Sequence, residues 1–372
     1  MSAAAADPRT APDALTAAAH RTAAVLADRA ATADRERRLA PDTVARLLTA
    51  GFARHFVPVR HGGAEGTFGD LARALRVVGG SCVSAAWVGL IHASSGRMAA
   101  FLPVAGQDEV WAGGPDAALS SALRPAGSAT RSGGDWILSG RWDFLSGVRH
   151  ADWSLLCVAG ERPPDIRYFA VPRAQYRVAE TWCATGMRAT ASDSVHLDGV
   201  RVPDARTFPH AALADGSDDP TTAACYRAPL PGCGPPLFAA PALGAATAAL
   251  TRWARRRTAR DATARLALTR GSAELDIAQL LLDRAVSAAD TPPTDTGTVA
   301  RTMRDAATAA HLIRDAVERI AGLSGSAMLA ETDPLQRAWR DVRTAVSHGA
   351  LDLDRSSTRY VRDVWGWTTD RP

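Results

Sequence analysis

With 372 residues, 47% of them hydrophobic and 22% charged, the chain has room for two or three domains and a large core, which excludes a disordered protein. The net charge of +4 comes from arginines interleaved with acids, and no block of like charge points to nucleic acid. The start at Met1 to Ala6 lacks a basic segment followed by an apolar one, and Cys82, Cys157, Cys183, Cys225 and Cys233 match neither a zinc site nor a CxxC pair, so a cytoplasmic protein is expected.

In chain order, helix comes first. Residues 14–33 are strong helix formers, and Pro41-Asp42 starts a second helix that runs to Leu48 and is closed by Gly51. Residues 68–78 place Leu71, Leu75 and Val78 at helical spacing before Gly79-Gly80 interrupts, and 81–101 is apolar almost all round, the pattern of a buried helix. Near Leu119 the pattern changes to short β-type runs at 136–138, 155–159, 168–171, 176–179 and 194–197, divided by Gly, Pro and Asp. Residues 209–241 are rich in Pro, Gly, Asp and Ala and predict a long irregular connection, a candidate lid. The apolar run 238–250 is too short to span a bilayer. Helical segments at 251–270, 273–289, 299–323 and 334–364 follow, enough for a four-helix bundle. The expected fold is α+β in three parts: an N-terminal helical domain over 1–115, a small middle β domain over 116–210, and a C-terminal four-helix bundle with its lid-like loop over 211–372.

Four local motifs stand on this layout. GF at 51–52 is followed by VPVRHGG at 57–63, GRWDFLSGVRHADW fills 140–153, TGMRATASDS fills 185–194 and WRDVRTAVSHG fills 339–349. Together they resemble the acyl-CoA dehydrogenase superfamily, and the second motif resembles its flavin-dependent monooxygenase branch. The resemblance implies an N-terminal helical domain, a small middle β-barrel and a C-terminal four-helix bundle. It places Ser146 against the flavin N5, with Trp142 and Gly147 framing the ring. Ser120 and Ser121 fall where relatives present donors to the flavin pyrimidine edge. Ser192 belongs to a turn whose hydroxyls serve the cofactor, although Ala189 replaces the usual second glycine. Arg265 aligns with an arginine that reaches the flavin phosphate of a neighbouring subunit, although Leu268-Thr269 replaces the usual Phe-Gly. Read without the resemblance, Arg265 is one more solvated charge beside Arg252, Arg255, Arg256, Arg257 and Arg260.

Near the end of the fourth motif, where dehydrogenases of this superfamily carry a glutamate, the chain has His348. Imidazole titrates near neutrality, which suits proton management at a phenol or a flavin–oxygen adduct. The resemblance implies that His348 activates the substrate and that His92 faces substrate and flavin. Otherwise His348 is a polar residue near a helix end and His92 a satisfied core histidine. His150 either serves the site or bonds backbone. Trp87, Trp111, Trp142 and Trp182 are candidates to line an aromatic pocket, although most buried tryptophans are core. No GxGxxG follows a strand and opens a helix, so no nicotinamide site is expected.

The implied activity is that of the oxygenase half of a two-component monooxygenase hydroxylating a small aromatic or natural-product molecule through a flavin C4a-hydroperoxide. Reduced FMN or FAD would come by diffusion from a separate flavin reductase, and the resemblance implies a homodimer or homotetramer. Alternatives are N-oxygenation of an amine or amino sugar, sulfur oxygenation, a thioester dehydrogenase using Glu331 or Asp341, or a relative that only binds a ligand.

Overall fold

The computed structural model describes residues 14–160, 165–258 and 260–368; Met1 to Ala6 lie outside them. Helix α1 (Ala14–Glu36) buries Leu15, Ala19, Ala23, Leu26 and Ala30, a stripe with steps of three and four that gives it one inward face. Helix α2 (Pro41–Ala50) has proline in its first turn and ends on Gly51 in the left-handed conformation, at φ 99°. Thr67 caps α3 (Phe68–Gly79) by accepting the Asp70 N–H. Helix α4 (Val83–Ala99) is buried almost all round, as its composition predicts, and α5 (Val104–Val110) closes the first helical group.

Among the described residues eight strands come next: β1 (Leu119–Ala122), β2 (Ser128–Ser132), β3 (Asp135–Leu145), β4 (Trp153–Ala159), β5 (Ile166–Pro172), β6 (Arg177–Ala179), β7 (Asp193–Pro203) and β8 (Thr207–Pro209). They form two four-stranded sheets, ordered β1-β4-β5-β8 and β2-β3-β7-β6. Among the described residues β1 and β4 pair in parallel and the other pairings are antiparallel. Leu138, Trp142 and Leu145 of β3 share one core with Leu156, Val158, Phe169 and Val171 of β4 and β5, so the sheets pack face to face. The register of β1 against β4 sets Ser120 opposite Ser154 and brings the end of β3 beside α4.

The segment 209–241, expected to be irregular, is mostly helical. It holds α6 (His210–Asp215), α7 (Ala224–Arg227) and the first half of α8 (Leu230–Ala254), which carries Pro235, Pro236 and Pro241 in its interior. Proline removes a helical donor and is unfavourable by propensity. Here burial outweighs it, because α8 is the axis on which α3, α9 (Ala262–Ala289), α10 (Thr296–Gly322) and α11 (Pro334–Val346) pack. By length and hydropathy α8 would suffice to cross a membrane, but 83% of its apolar window is buried inside the protein, as in a core helix.

The remaining boundaries also shift. The expected break near residue 271 is absent: α9 runs through Arg270-Gly271, and the chain turns instead between Ala254 and Ala262. Helix α10 (Thr296–Gly322) agrees closely with its expected span. The last segment divides into α11 (Pro334–Val346) and α12 (Leu353–Trp365), and the gap between them holds His348.

Helices α3 and α8 touch backbone to backbone. A Cβ on Gly244 would stand 2.0 Å from the Arg76 carbonyl oxygen, and one on Gly79 2.4 Å from that of Pro241. Gly244→Ala is therefore expected to destabilise the protein by about 1–3 kcal/mol or more, read as a fall in Tm. Gly322→Ala, whose methyl meets nothing within 4 Å, is the control expected to leave Tm unchanged.

Candidate active site

The site grows from the junction of α4, the end of β3, the turn 185–192 and the α11–α12 gap. Ser146 follows β3 and is buried; its Oγ accepts the Trp87 Nε1–H at 3.1 Å and lies 2.7 Å from Ser192 Oγ. Ser120 Oγ donates to the Ser146 carbonyl at 3.0 Å, while Ser95 Oγ donates to Ser121 Oγ at 3.0 Å. Gly147, at φ 71°, abuts α4: a Cβ there would lie 3.2 Å from Val88 and 3.5 Å from the His92 ring. Ser120, Ser121, Ser146, Gly147, Ser192, Trp87 and His92, distant in sequence, thus belong to one neighbourhood.

The two histidines have opposite bonding. His92 is fully buried on α4, and its Nδ1–H donates to the Leu119 carbonyl at 2.8 Å. Its Nε2 is buried without a hydrogen-bond partner, so the neutral ring offers a bare lone pair. His348 caps the short turn after α11, and its Nδ1 accepts the Ala350 N–H at 3.3 Å, which leaves the neutral ring's proton on Nε2. The His348 ring stacks on Phe238 at 4.0 Å and stands edge-on to Trp87 at 5.6 Å. Burial lowers both imidazoles from 6.5 to about 4; the charge of Arg124 helps at His348, and the bond to Leu119 opposes at His92.

The turn that carries Ser192 is fastened to α11. A Cβ on Gly186 would lie 2.1 Å from the Arg340 carbonyl oxygen, so only glycine permits this approach. Arg340 pairs through both terminal nitrogens with Asp34 of α1, at 3.2 and 2.7 Å, and donates to the Thr185 carbonyl at 2.6 Å. Asp341 accepts the Met187 N–H at 2.6 Å, and burial lifts its carboxyl to about 6. Met187 and Ala191 sit at positive φ, 49° and 44°, strained positions that these contacts hold in place.

Several candidates lie elsewhere. Trp142 lines no pocket: it is fully buried between the sheets with Nε1–H on the Cys157 carbonyl at 2.7 Å, because strand alternation points it inward. Trp111 packs beside His61 in a separate cluster at 4.9 Å, and Trp182 donates to the Met187 carbonyl at 3.0 Å beneath the turn. His150 makes a backbone hydrogen bond with Leu39, the bland alternative for that residue. Arg265 is on the exposed face of α9, which packs chiefly on α8, α10 and α3. Asp341 is committed to Met187, and Glu331 pairs at the surface with Arg188 at 3.2 Å, so neither is placed as a base. Phe238 escaped notice because it lies in the segment expected to be irregular, and Asp34 because nothing in sequence links it to Arg340.

The family model for the acyl-CoA dehydrogenase C-terminal domain matches residues 237–353. The chain is similar to HsaA of Rhodococcus jostii, the oxygenase subunit of a flavin-dependent monooxygenase, at 27% identity over 92% of this chain and 95% of that one. It is 29% identical to the oxygenase component of an FADH2-dependent resorcinol hydroxylase from Rhizobium sp., over 89% of this chain and 88% of that one. The solved structure of XiaF from Streptomyces sp., in complex with FADH2 and glycerol, superposes with a TM-score of 0.90 at 28% identity and 96% coverage of both chains.

Two predictions follow from the site's charges. Arg340→Leu leaves the buried Asp34 with only the longer Arg188 contact at 3.9 Å and is expected to cost up to about 3–5 kcal/mol, measured as a fall in Tm. The unfolded chain protonates His92 and His348 near 6.5, whereas the folded protein holds them neutral down to about 4, so stability is lost as pH falls through that window. Asp341, at about 6, works the other way, but one carboxyl does not offset two histidines. Thermal melts are expected to show a lower Tm at about pH 5 than at about pH 7, with His348→Asn narrowing the difference.

Proposed function

We propose that this chain, which belongs to the acyl-CoA dehydrogenase superfamily and to its flavin-dependent monooxygenase branch, is the oxygenase component of a two-component system that hydroxylates a small aromatic substrate. The observation that carries this reading is a pair of neutral histidines around the Ser146 neighbourhood, His92 beside Gly147 with a bare ring nitrogen and His348 beside Trp87 with its proton on Nε2. A thioester dehydrogenase needs a carboxylate base, and Asp341 and Glu331 are both engaged elsewhere.

The residues present fit a flavin. Ser146 Oγ keeps one lone pair beyond its two bonds, Ser120 holds the Ser146 carbonyl, and Gly147 leaves the approach free of a side chain. In this reading Ser120, Ser121, Ser146, Gly147 and Ser192 serve the ring. Reduced flavin, FMN or FAD delivered by diffusion from a separate reductase, supplies the electrons that activate dioxygen. His92 Nε2 accepts the proton of a phenol, making its ring the better nucleophile. His348 holds the resulting phenolate oxygen with its Nε2–H. The resemblance alone gave the acceptor role to His348; the bond from Ala350 to its Nδ1 moves that role to His92. Trp87 and Phe238, both buried and in ring contact at 5.3 Å, supply apolar surface that would help exclude water from the activated oxygen.

Finer features belong to the same proposal: the three-part division at 1–115, 116–210 and 211–372, a cytoplasmic location, a role in natural-product biosynthesis, and assembly as a homodimer or homotetramer. The exposed Leu266, Ile277 and Leu280 on α9 favour packing against a second copy, with Arg265 reaching its flavin phosphate.

The test supplies reduced flavin from a reductase together with a panel of phenols, and follows oxygen from labelled dioxygen into product by mass spectrometry. Hydroxylated product is expected. His92→Asn is expected to lower kcat by about 100-fold or more, with partial recovery at a pH that ionises the phenol in solution. His348→Asn should show no such recovery. If no phenol is hydroxylated and reduced flavin oxidises no faster than in buffer, the reading is overturned.

A further inference from the structure

Four polar contacts run in line through the buried turn beside Ser146. Trp87 Nε1 meets Ser146 Oγ at 3.1 Å, Ser146 Oγ meets Ser192 Oγ at 2.7 Å, Ser192 Oγ meets Thr190 Oγ1 at 2.8 Å, and Thr190 Oγ1 meets the Met187 carbonyl at 3.0 Å. Trp87, Ser146, Ser192 and Thr190 are all buried, so solvent is a poor substitute for any of these contacts. An indole N–H only donates, a carbonyl only accepts, and a hydroxyl has one proton and two lone pairs.

The line therefore has an obligate donor at one end, an obligate acceptor at the other, and one proton for each contact. Only one arrangement fills all four. Thr190 donates to Met187 and so accepts from Ser192. Ser192 has then given up its proton and accepts from Ser146. Ser146 donates to Ser192 and accepts from Trp87. The far end cannot turn away: the Met187 carbonyl also accepts the Trp182 Nε1–H at 3.0 Å, and the Met187 N–H is held by Asp341 at 2.6 Å.

We propose that this line leaves Ser146 with a lone pair but no proton to offer, and that Ser192 and Thr190 thereby make the site select reduced over oxidised flavin. The inference rests on the reading that Ser146 faces the flavin N5. Reduced flavin carries a hydrogen at N5 and donates it; oxidised flavin has only a lone pair there and accepts. The free lone pair of Ser146 matches the first. It opposes the second, a mismatch that water cannot relieve in a buried site. Ser192 and Thr190 act as positioning residues through Ser146.

Anaerobic titration of the full chain with reduced and with oxidised FMN reads the two dissociation constants separately. The native protein is expected to bind reduced FMN about tenfold more tightly or better, the usual scale of one mispaired buried hydrogen bond. Ser192→Ala frees the Ser146 proton to turn towards N5, so binding of oxidised FMN should tighten and the ratio should collapse towards one. The midpoint potential of the bound flavin should then fall by about 30 mV for each tenfold of selectivity lost. Thr190→Val, close in shape, frees the Ser192 proton and should move the ratio the same way, whereas Ser192→Thr should keep it. If Ser192→Ala and Thr190→Val weaken both redox forms alike and leave the ratio unchanged, the two residues are merely structural and the proposal is overturned. Equal affinity of the native protein for both forms overturns it as well, while leaving the flavin site standing. Binding of neither form overturns the flavin reading itself, and this inference with it.

Discussion

A single buried guanidinium ties the site to the rest of the molecule. Arg340 bonds Asp34 on α1, the Thr185 carbonyl on the turn and Gln336 on its own helix, so its donors meet three separate elements. Isolated, such a charge would be costly to bury; fully paired, it converts that cost into a demand for one geometry. The neighbouring Asp341 applies the same logic to the Met187 N–H. Between them they hold a turn whose Met187 and Ala191 adopt conformations that side chains resist, and Ser192 is where the site needs it only while that turn is held.

The second constraint is desolvation. Around Ser146 the protein buries hydroxyls, an indole N–H and the His92 imidazole, with His348 half-buried nearby, so each buried polar atom must find a partner or await one. The hydroxyls satisfy one another in sequence. His92 satisfies only its Nδ1, and its bare Nε2 is the feature of this neighbourhood that calls for a ligand. Burial also keeps both histidines neutral at physiological pH, so that one ring can accept a hydrogen bond and the other donate one without either carrying charge.

Helix α8 shows packing overriding local preference. Pro, Gly and Ala between 209 and 241 argue for loop, and in an exposed segment they would make one. Placed at the centre of the helical layer, the same small residues allow the backbones of α3 and α8 to meet, and burial on nearly all sides exceeds what the missing donors cost. Most of the segment expected to be an irregular lid is thereby helical, and Phe238 within it stacks on His348.

The sequence by itself determined the class of element in most regions other than 209–241, placed a β domain between helical groups, and singled out Ser146, Ser192, His92 and His348 as candidates. Those signals are local: periodicity, turn glycines and motif strings such as FLSGVRHA are written in neighbouring residues. It also carried the resemblance from which flavin and monooxygenase chemistry were expected. Only the tertiary structure decided that Trp142 is core, that Arg340 answers Asp34 306 positions away, that α9 runs unbroken through Gly271, and that His92 rather than His348 has the free lone pair. Each of these depends on which groups meet across the fold. A proton's position on an imidazole or a hydroxyl is set by the partner it finds there, and nothing in the local sequence specifies that partner.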